Sequence, residues 1–337
     1  MIDEILYYRS KGYDPYTNQG VEMYLFDEVK DNQLAFYLWQ NDKTVVIGRN
    51  QNASVELDRE TLEADGGHLA RRLSGGGAVY HEVANLNFTF ACTGDNYSVA
   101  RQSMVIVRAM KKLGFDAELS GRNDITIDGA KFSGNAYYSK ANHHYHHGTI
   151  LVNVDTEKMA KYLKPSSKKL KAKGVSSVRS RVVNLVQLDP DLTIDGLASA
   201  LKEAVKEEYQ CSMRELSESD FDTEKLDRQV AFFADKSWQR GKHVDYNLFN
   251  QERYSWGEAS IEIELSENKI KDLKVNSDAN DSSLIKEIEE ILLRAGTKLD
   301  DLVRALDDTY LKDEQSNLIK QDIADLIKAL EEGGSDE

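Results

Sequence analysis

The sequence predicts an α+β protein in two parts, a mixed-sheet domain over residues 1–244 and a small α+β domain over residues 245–337. Three observations carry this reading. Strand candidates come as neighbours joined by short turns, with helices scattered among them and no regular strand–helix alternation, which separates α+β from a doubly wound sheet. The 337 residues suffice for about two domains and a sizeable core. The net charge of −15 is unevenly placed: 24 acids against 11 Lys and Arg lie from Asp245 onward, whereas residues 1–244 are nearly balanced.

The elements follow in order. Ala35–Trp39 and Thr44–Ile47 read as strands joined by the polar turn Asn41-Asp42-Lys43, a hairpin signal. Leu86–Ala91 alternates as a strand. Ser98–Leu113 has helical length and apolar spacing, with Gly114 as a C-terminal stop. Ile125–Ile127 and Ala130–Phe132 flank Asp128-Gly129, a dipeptide suited to a tight hairpin turn with positive φ. Thr149–Val154 is a short apolar strand. In the second part, Ser260–Leu265 alternates as a half-buried strand and Lys269–Val275 pairs with it. Ser282–Arg294 and Gln315–Leu330 are helices ending at Gly296 and Gly333.

The run Arg71-Arg72-Leu73-Ser74-Gly75-Gly76-Gly77-Ala78-Val79-Tyr80-His81 is the most informative stretch. Glycines let the backbone bend and lie close to a ligand, exposed amides form a nest for phosphate oxygens, and arginine adds a forked charge. The same residues also make a Gly-rich turn with a solvated Arg pair. Lys131, just past the Asp128-Gly129 turn, is held on a stiff element. It can aim one charge at a carboxylate and at a nucleotide α-phosphate, relieving their repulsion; a surface hairpin lysine is the plain alternative. Gly121-Arg122-Asn123-Asp124 supplies an amide and a carboxylate able to read adenine or hold Mg²⁺. His143, His144, His146 and His147 lack the cysteines or helical spacing of a zinc site; His147 is expected to be functional at a strand start, with the others exposed. Seven lysines from Lys158 to Lys173 mark a solvated loop, or one that closes over phosphate or docks an acidic protein.

Composition excludes several classes. No apolar run approaches the roughly 20 residues of a membrane span. Met1-Ile2-Asp3-Glu4 carries acids where a signal peptide carries lysines. Two cysteines, Cys92 and Cys211, make no disulfide scaffold and fit a reducing cytoplasm, the expected location. The acidic tail disfavours nucleic acid.

Taken in order, Arg71-Arg72-x-Ser74-Gly75-Gly76-Gly77-Ala78-Val79-Tyr80-His81, Asn85-x-Asn87-Phe88, Gly121–Asp124, Lys131-x-Ser133-Gly134-x-Ala136, His147-Gly148-Thr149 and Ser177-Val178-Arg179-Ser180 resemble the bacterial lipoate–protein ligases. The resemblance covers nearly the whole chain. It implies the fold shared by biotin and lipoate ligases with a C-terminal accessory domain that reorients during turnover. It also implies a two-step reaction: lipoate and ATP, with Mg²⁺, give lipoyl-AMP, and the acyl group passes to a lysine of an apo lipoyl domain. Acceptors would be 2-oxoacid dehydrogenase E2 chains and the glycine-cleavage H protein, and the enzyme a monomer.

Carried over residue by residue, Lys131 would be catalytic, contacting the lipoate carboxylate and the α-phosphate. Arg72, Gly77, Ala78, Val79, Tyr80, Asn123, Asp124, Ser177, Val178 and Arg179 would bind the nucleotide, with Asp124 toward Mg²⁺. Ser74, Gly76, Gly77, His81, Ser133, Ala136 and His147 would line the acyl site with Arg72 and Lys131. Gln19–Met23 matches a segment that walls the acyl pocket in the family. The alternatives are a lipoyl or octanoyl transferase of the same fold, which needs a cysteine nucleophile, and a non-enzymatic acyl-adenylate-binding protein.

Overall fold

A computed structural model of the chain describes residues 2–120, 124–164 and 182–333. The nucleotide-site expectations for Asn123, Ser177, Val178 and Arg179 lie outside these residues, as does most of the lysine-rich stretch. The first part contains β1 (Glu4–Arg9), α1 (Pro15–Glu28), β2 (Gln33–Trp39), β3 (Thr44–Ile47), α2 (Ala53–Glu56), α3 (Arg59–Ala64), β4 (His68–Arg71), β5 (Val79–His81) and β6 (Asn85–Thr93). It continues through α4 (Val99–Lys112), β7 (Ala117–Ser120), β8 (Asp124–Ile127), β9 (Ala130–Lys140), β10 (His143–Leu151), α5 (Thr156–Tyr162), α6 (Ile194–Tyr209), β11 (Ser212–Glu215), α7 (Thr223–Ala234) and α8 (Lys236–Arg240).

Eight strands form one mixed sheet in the order β11-β1-β2-β6-β10-β9-β8-β7. Side chains alternate across it, as the two-residue period of a strand requires. Leu34, Phe36 and Leu38 of β2 and Leu86, Phe88 and Phe90 of β6 meet α4 and α6 in one core. Ala35, Tyr37 and Trp39 face the other way, toward α1 and α7. Both faces are thus covered, and all nine residues of β6 are buried.

Helix α1 is the pillar of the second face. Asp14 caps it by accepting from the Thr17 amide, and Pro15 opens it, where its missing N–H is harmless. The helix is buried on most of its circumference. It packs on α7 at Gly20, where a Cβ would lie 2.6 Å from Val230 Cγ2 and 3.0 Å from its amide nitrogen. Glycine is therefore required there by close approach.

The Asp128-Gly129 hairpin between β8 and β9 is present, with both turn residues at positive φ. Helix α4 matches its expected limits, capped by Ser98 and stopped before Gly114. The expected hairpin of Ala35–Trp39 with Thr44–Ile47 is not formed. The edges of β2 are taken by β1 and β6, while β3 crosses to a second sheet, ordered β4-β3-β5. The connection is pinned by Asn18, whose amide donates to Gln40 O (2.7 Å) and Asn41 Oδ1 (3.0 Å), with Asn41 itself buried. A polar turn thus marks a change of sheet.

The second part has β12 (Leu248–Tyr254), β13 (Gly257–Ser266), β14 (Lys269–Ser277), α9 (Ser282–Arg294), α10 (Leu299–Asp307) and α11 (Glu314–Gly333). The antiparallel sheet β12-β13-β14 packs on the helices around its own core, including Ile261, Ile263, Ile288 and Ile323. The segment between β14 and α9 docks on the glycine run of the first part. Gly76 N–H donates to Ala279 O (3.3 Å), Ser282 Oγ to Leu73 O (2.9 Å) and Asn50 Nδ2 to Ser282 O (2.8 Å).

Strand β10 begins at His143, earlier than expected, so His147 lies in mid-strand and not at its start. His146 is not exposed either. It is fully buried on the α4 face, its ring nitrogens meeting the amide groups of Gln102 (3.2 Å) and Asn135 (2.9 Å). Burial chiefly, and His147 secondarily, push its pKa down to about 3.

Two outcomes are expected. Gly20→Leu should lower stability by about 1–3 kcal/mol through overpacking against α7, read as a fall in Tm; an unchanged Tm would mean the helices separate without cost. For His146, the unfolded chain binds a proton near pH 6.5 and the folded chain only near 3. Stability must therefore fall as pH drops through that window, by up to about 1.4 kcal/mol per pH unit. His146→Gln should flatten the decline relative to the native chain in pH-dependent urea unfolding; parallel curves would refute the assignment.

Candidate active site

The site face of the large sheet is the α1 side. On β6 it presents Asn85, Asn87 and Thr89; on β10, Tyr145 and His147; on β9, Ala136 directly opposite His147. The glycine run leaves β4 and crosses over this face before β5 begins.

The two arginines at the head of the run are buried, not solvated. Arg71 donates to the carbonyls of Gly48, Arg49, Gln51, Trp238, Gln239 and Arg240, at 2.7–3.2 Å. It ties α8 to the loop after β3. Arg72 donates to Ser74 Oγ (3.1 Å) and to the carbonyls of Val46 (3.1 Å), Gly75 (2.7 Å from Nη2) and Gly77 (2.8 Å). Its guanidinium therefore holds the loop shape from beneath. Burial pushes both arginines down to about 10, so both remain charged at neutral pH.

Ser74 and His147 meet through Oγ and Nε2 at 2.8 Å, and His147 Nδ1 lies 2.8 Å from Glu22 Oε1 on α1. Thr89 Oγ1 donates to the same carboxylate oxygen (2.6 Å) and receives Trp39 Nε1–H (3.1 Å). One hydrogen-bonded chain thus runs from Arg72 to Trp39. Sequence reading had placed Ser74, His147 and Arg72 at the site but missed Thr89, Trp39 and the role of Glu22. The available signal was a lone carboxylate within the apolar run Val21–Phe26 of a buried helix.

His81 sits at the end of β5 beside this chain. Asn41 donates to its Nδ1 at 3.3 Å, leaving Nε2–H as the other ring position, buried and without a partner among the described residues. Burial, then the charge of Arg72 and the neighbouring His147, press its pKa down to about 3, so the ring stays neutral. Asn87 Nδ2 and the Tyr145 hydroxyl are likewise buried and unpartnered. Orphaned donors gathered on one face are what a site for a polar ligand presents.

Lys131 lies on the same face, its Nζ 2.6 Å from Asp124 Oδ1 and beside Gly134, where a Cβ would stand 3.0 Å from Nζ. Both charges are part-exposed. Asp124 is the one residue the sequence directs toward Mg²⁺, and no group of three His, Cys, Asp or Glu capable of holding a metal occurs among the described residues.

Two expectations need adjustment. Ser133 pairs in register with Ile125 and Ile150, both in the α4-side core, so its side chain lies on the face away from His147. A register shift in β9 between Lys131 and Ser133 puts Lys131 on the site face and Ser133 off it. Tyr80, expected at the nucleotide, turns into the small-sheet core with Val45 and Tyr162, while Val79 and Ala78 are half-buried and Gly77 offers its carbonyl to Arg72.

Comparison with known proteins agrees with this architecture. A model of the lipoyl protein ligase A/B catalytic domain matches residues 14–206, and one of the bacterial lipoate protein ligase C-terminus matches residues 243–327. Lipoate-protein ligase A of Psychrobacter cryohalolentis is 38% identical over 287 residues, 83% of this chain and 85% of that one. The Blochmanniella floridana protein of that name is 36% identical over 84% of this chain and 86% of its own. Among solved structures, LipL1 of P. falciparum in complex with lipoate shares the fold with a TM-score of 0.83 at 24% identity, over 95% of this chain and 99% of that one. A lipoate-protein ligase A bound with ATP gives 0.60 at 24%, over 72% and 99%. With sequence kinship over most of its length, the chain belongs to the lipoate–protein ligase A family of ATP-dependent ligases.

Proposed function

We propose that this chain activates lipoate with ATP to lipoyl-AMP and transfers the lipoyl group to a lysine of apo lipoyl domains, in E2 chains of 2-oxoacid dehydrogenases and in the glycine-cleavage H protein. The observation that carries the reading is the position of Lys131. It stands on a stiff hairpin, on the same sheet face as the Ser74–His147 cluster, with its charge turned toward the site by Asp124.

The first step brings a carboxylate to an α-phosphate, two anions that repel. Lys131 lowers that barrier by neutralising charge as the carboxylate oxygen attacks and pyrophosphate leaves. The acceptor amine then attacks the acyl carbonyl and AMP departs. No protein nucleophile is required for either step, and positioning supplies much of the rate.

Arg72 enters by holding the glycine loop, since its donors are engaged with Ser74 and the loop carbonyls. Backbone amides of the loop from Gly77 on are assigned to phosphate. Mg²⁺ usually rides on substrate phosphates with one or two carboxylates; Asp124 fits such a single-carboxylate role, and the ion would offset phosphate charge. Ser74, His81, Ala136 and His147 surround the acyl end, with Ser133 removed from that set. We keep the division of the chain at 244/245, supported by the separate core from β12 onward.

The transferase reading lacks a suitable cysteine nucleophile. Cys92 is buried on the α4 face, with its thiol pushed up to about 12 by desolvation. Cys211 lies in the same core's margin and is also raised.

Intact-mass analysis of an apo lipoyl domain incubated with the chain, Mg²⁺, ATP and lipoate should show one lipoyl group added, and none without ATP. Lys131→Ala should lower adenylate formation by 100-fold or more, about 3 kcal/mol of transition-state stabilisation, with an unchanged melting curve. Native-like turnover by that variant would remove the central role from Lys131. Cys92→Ala should still ligate; its complete loss of turnover, with the fold intact, would restore the transferase.

A further inference from the structure

Ser74, His147 and Glu22, beside the acyl end of the site, form a hydrogen-bonded series whose capacity to move a proton neither ligase step calls on. One Glu22 carboxylate oxygen receives the Thr89 hydroxyl at 2.6 Å and lies 2.8 Å from His147 Nδ1. In the tautomer that carries its proton on Nδ1, that nitrogen donates to the carboxylate and Nε2, 2.8 Å from Ser74 Oγ, accepts the serine hydroxyl. Ser74 Oγ accepts in turn from Arg72 Nε–H at 3.1 Å. A serine hydroxyl bonded to a histidine, with the far histidine nitrogen oriented by a carboxylate, is the geometry of an activated nucleophile. Here a buried guanidinium also contacts the oxygen on which negative charge would develop.

A second observation points to a reacting carbonyl. Tyr145, two residues before His147 on the same strand face, is fully buried, and its hydroxyl is turned toward Ser74. A phenolic donor directed at the nucleophile's oxygen can move its hydrogen bond to the oxygen of an acyl group that bonds there. Lys131 arches over Gly134, and Gly134 is two residues along β9 from Ala136, which sits opposite His147. Two residues of strand span roughly 7 Å, within the reach of one acyl carbonyl.

We propose that Ser74 is an acyl-accepting nucleophile, giving this chain an esterase activity on activated medium-chain acyl groups, including its own acyl adenylate when no acceptor lysine is present. This rests on the ligase reading for the identity of the adenylate. Ser74 Oγ bonds to the acyl carbon, and its proton passes to His147 Nε2 and on to the departing AMP phosphate. The bond between acyl carbon and phosphate oxygen breaks, with AMP keeping the electron pair. Water then gives a proton to Nε2 and its hydroxyl to the acyl carbon; the ester bond to Oγ breaks and the proton returns to Oγ. The products are the free acid and AMP.

The test uses the full chain with p-nitrophenyl octanoate, without ATP or acceptor. Expected is a burst of p-nitrophenolate stoichiometric with enzyme, followed by slower turnover, and an intact-mass gain of one octanoyl group mapping to the Ser74 peptide. Ser74→Ala should abolish burst and adduct. Glu22→Gln should slow the burst at least tenfold while keeping the adduct, a split that a purely structural carboxylate would not give. If Ser74→Ala fails to fold, Ser74→Cys should carry the adduct as a hydroxylamine-labile thioester. A native chain without the Ser74 adduct, or a burst unchanged in Ser74→Ala, overturns the proposal. Ligation of a lipoyl domain by the same preparation is scored separately. Ligation without adduct sinks the esterase alone; adduct without ligation supports it and sinks the ligase reading.

Discussion

The hydrogen-bonded chain from Arg72 through Ser74, His147, Glu22 and Thr89 to Trp39 is the constraint on which the site depends. Its members come from the glycine run, from α1 and from strands β2, β6 and β10. Burying such groups is expensive unless each is paired, and removing one leaves the next exposed to the full desolvation penalty. The chain therefore ties together, in one stroke, the height of the loop above the sheet, the orientation of the central helix and the position of the histidine ring. On the far side of the same helix, Gly20 admits the close α1–α7 contact at Val230.

Electrostatics divides the labour between the cations. Arg71 and Arg72 are desolvated and satisfied by carbonyls; they are scaffold. Lys131 is part-exposed with a single acidic partner, a pair that a substrate anion can join or displace. A compact ammonium on a flexible stem suits that work, whereas the planar guanidinium suits a permanent cradle. Three residues that look alike as positive charges in the sequence thus have opposite duties.

Much of this was legible beforehand, for identifiable reasons. The glycine run, the Asp128-Gly129 hairpin and α4 carry strong local signals, and local chemistry decided them. The separation of β2 from β3 was not local: it depends on Asn18, some twenty residues earlier, binding the turn. Ser133 was misplaced because a one-residue irregularity in β9 reverses every face assignment before it. His146 was read as exposed because a polar residue in a strand gives no hint of the Gln102 amide waiting on a distant helix. Glu22 was visible only as an odd acid in an apolar helix, and nothing in the sequence says which histidine it faces.

The seam between the two parts runs through main-chain atoms. On the accessory side the contact is made by the main-chain carbonyl of residue 279, while the Ala279 side chain is buried in the accessory part's own core, so its size is limited there and not by the seam. On the catalytic side the seam itself sets the limit, because a Cβ on Gly75 would stand 2.0 Å from that carbonyl oxygen. A grafted accessory domain needs only the right backbone turn to seat, while a single methyl group on the catalytic side is enough to refuse every one of them.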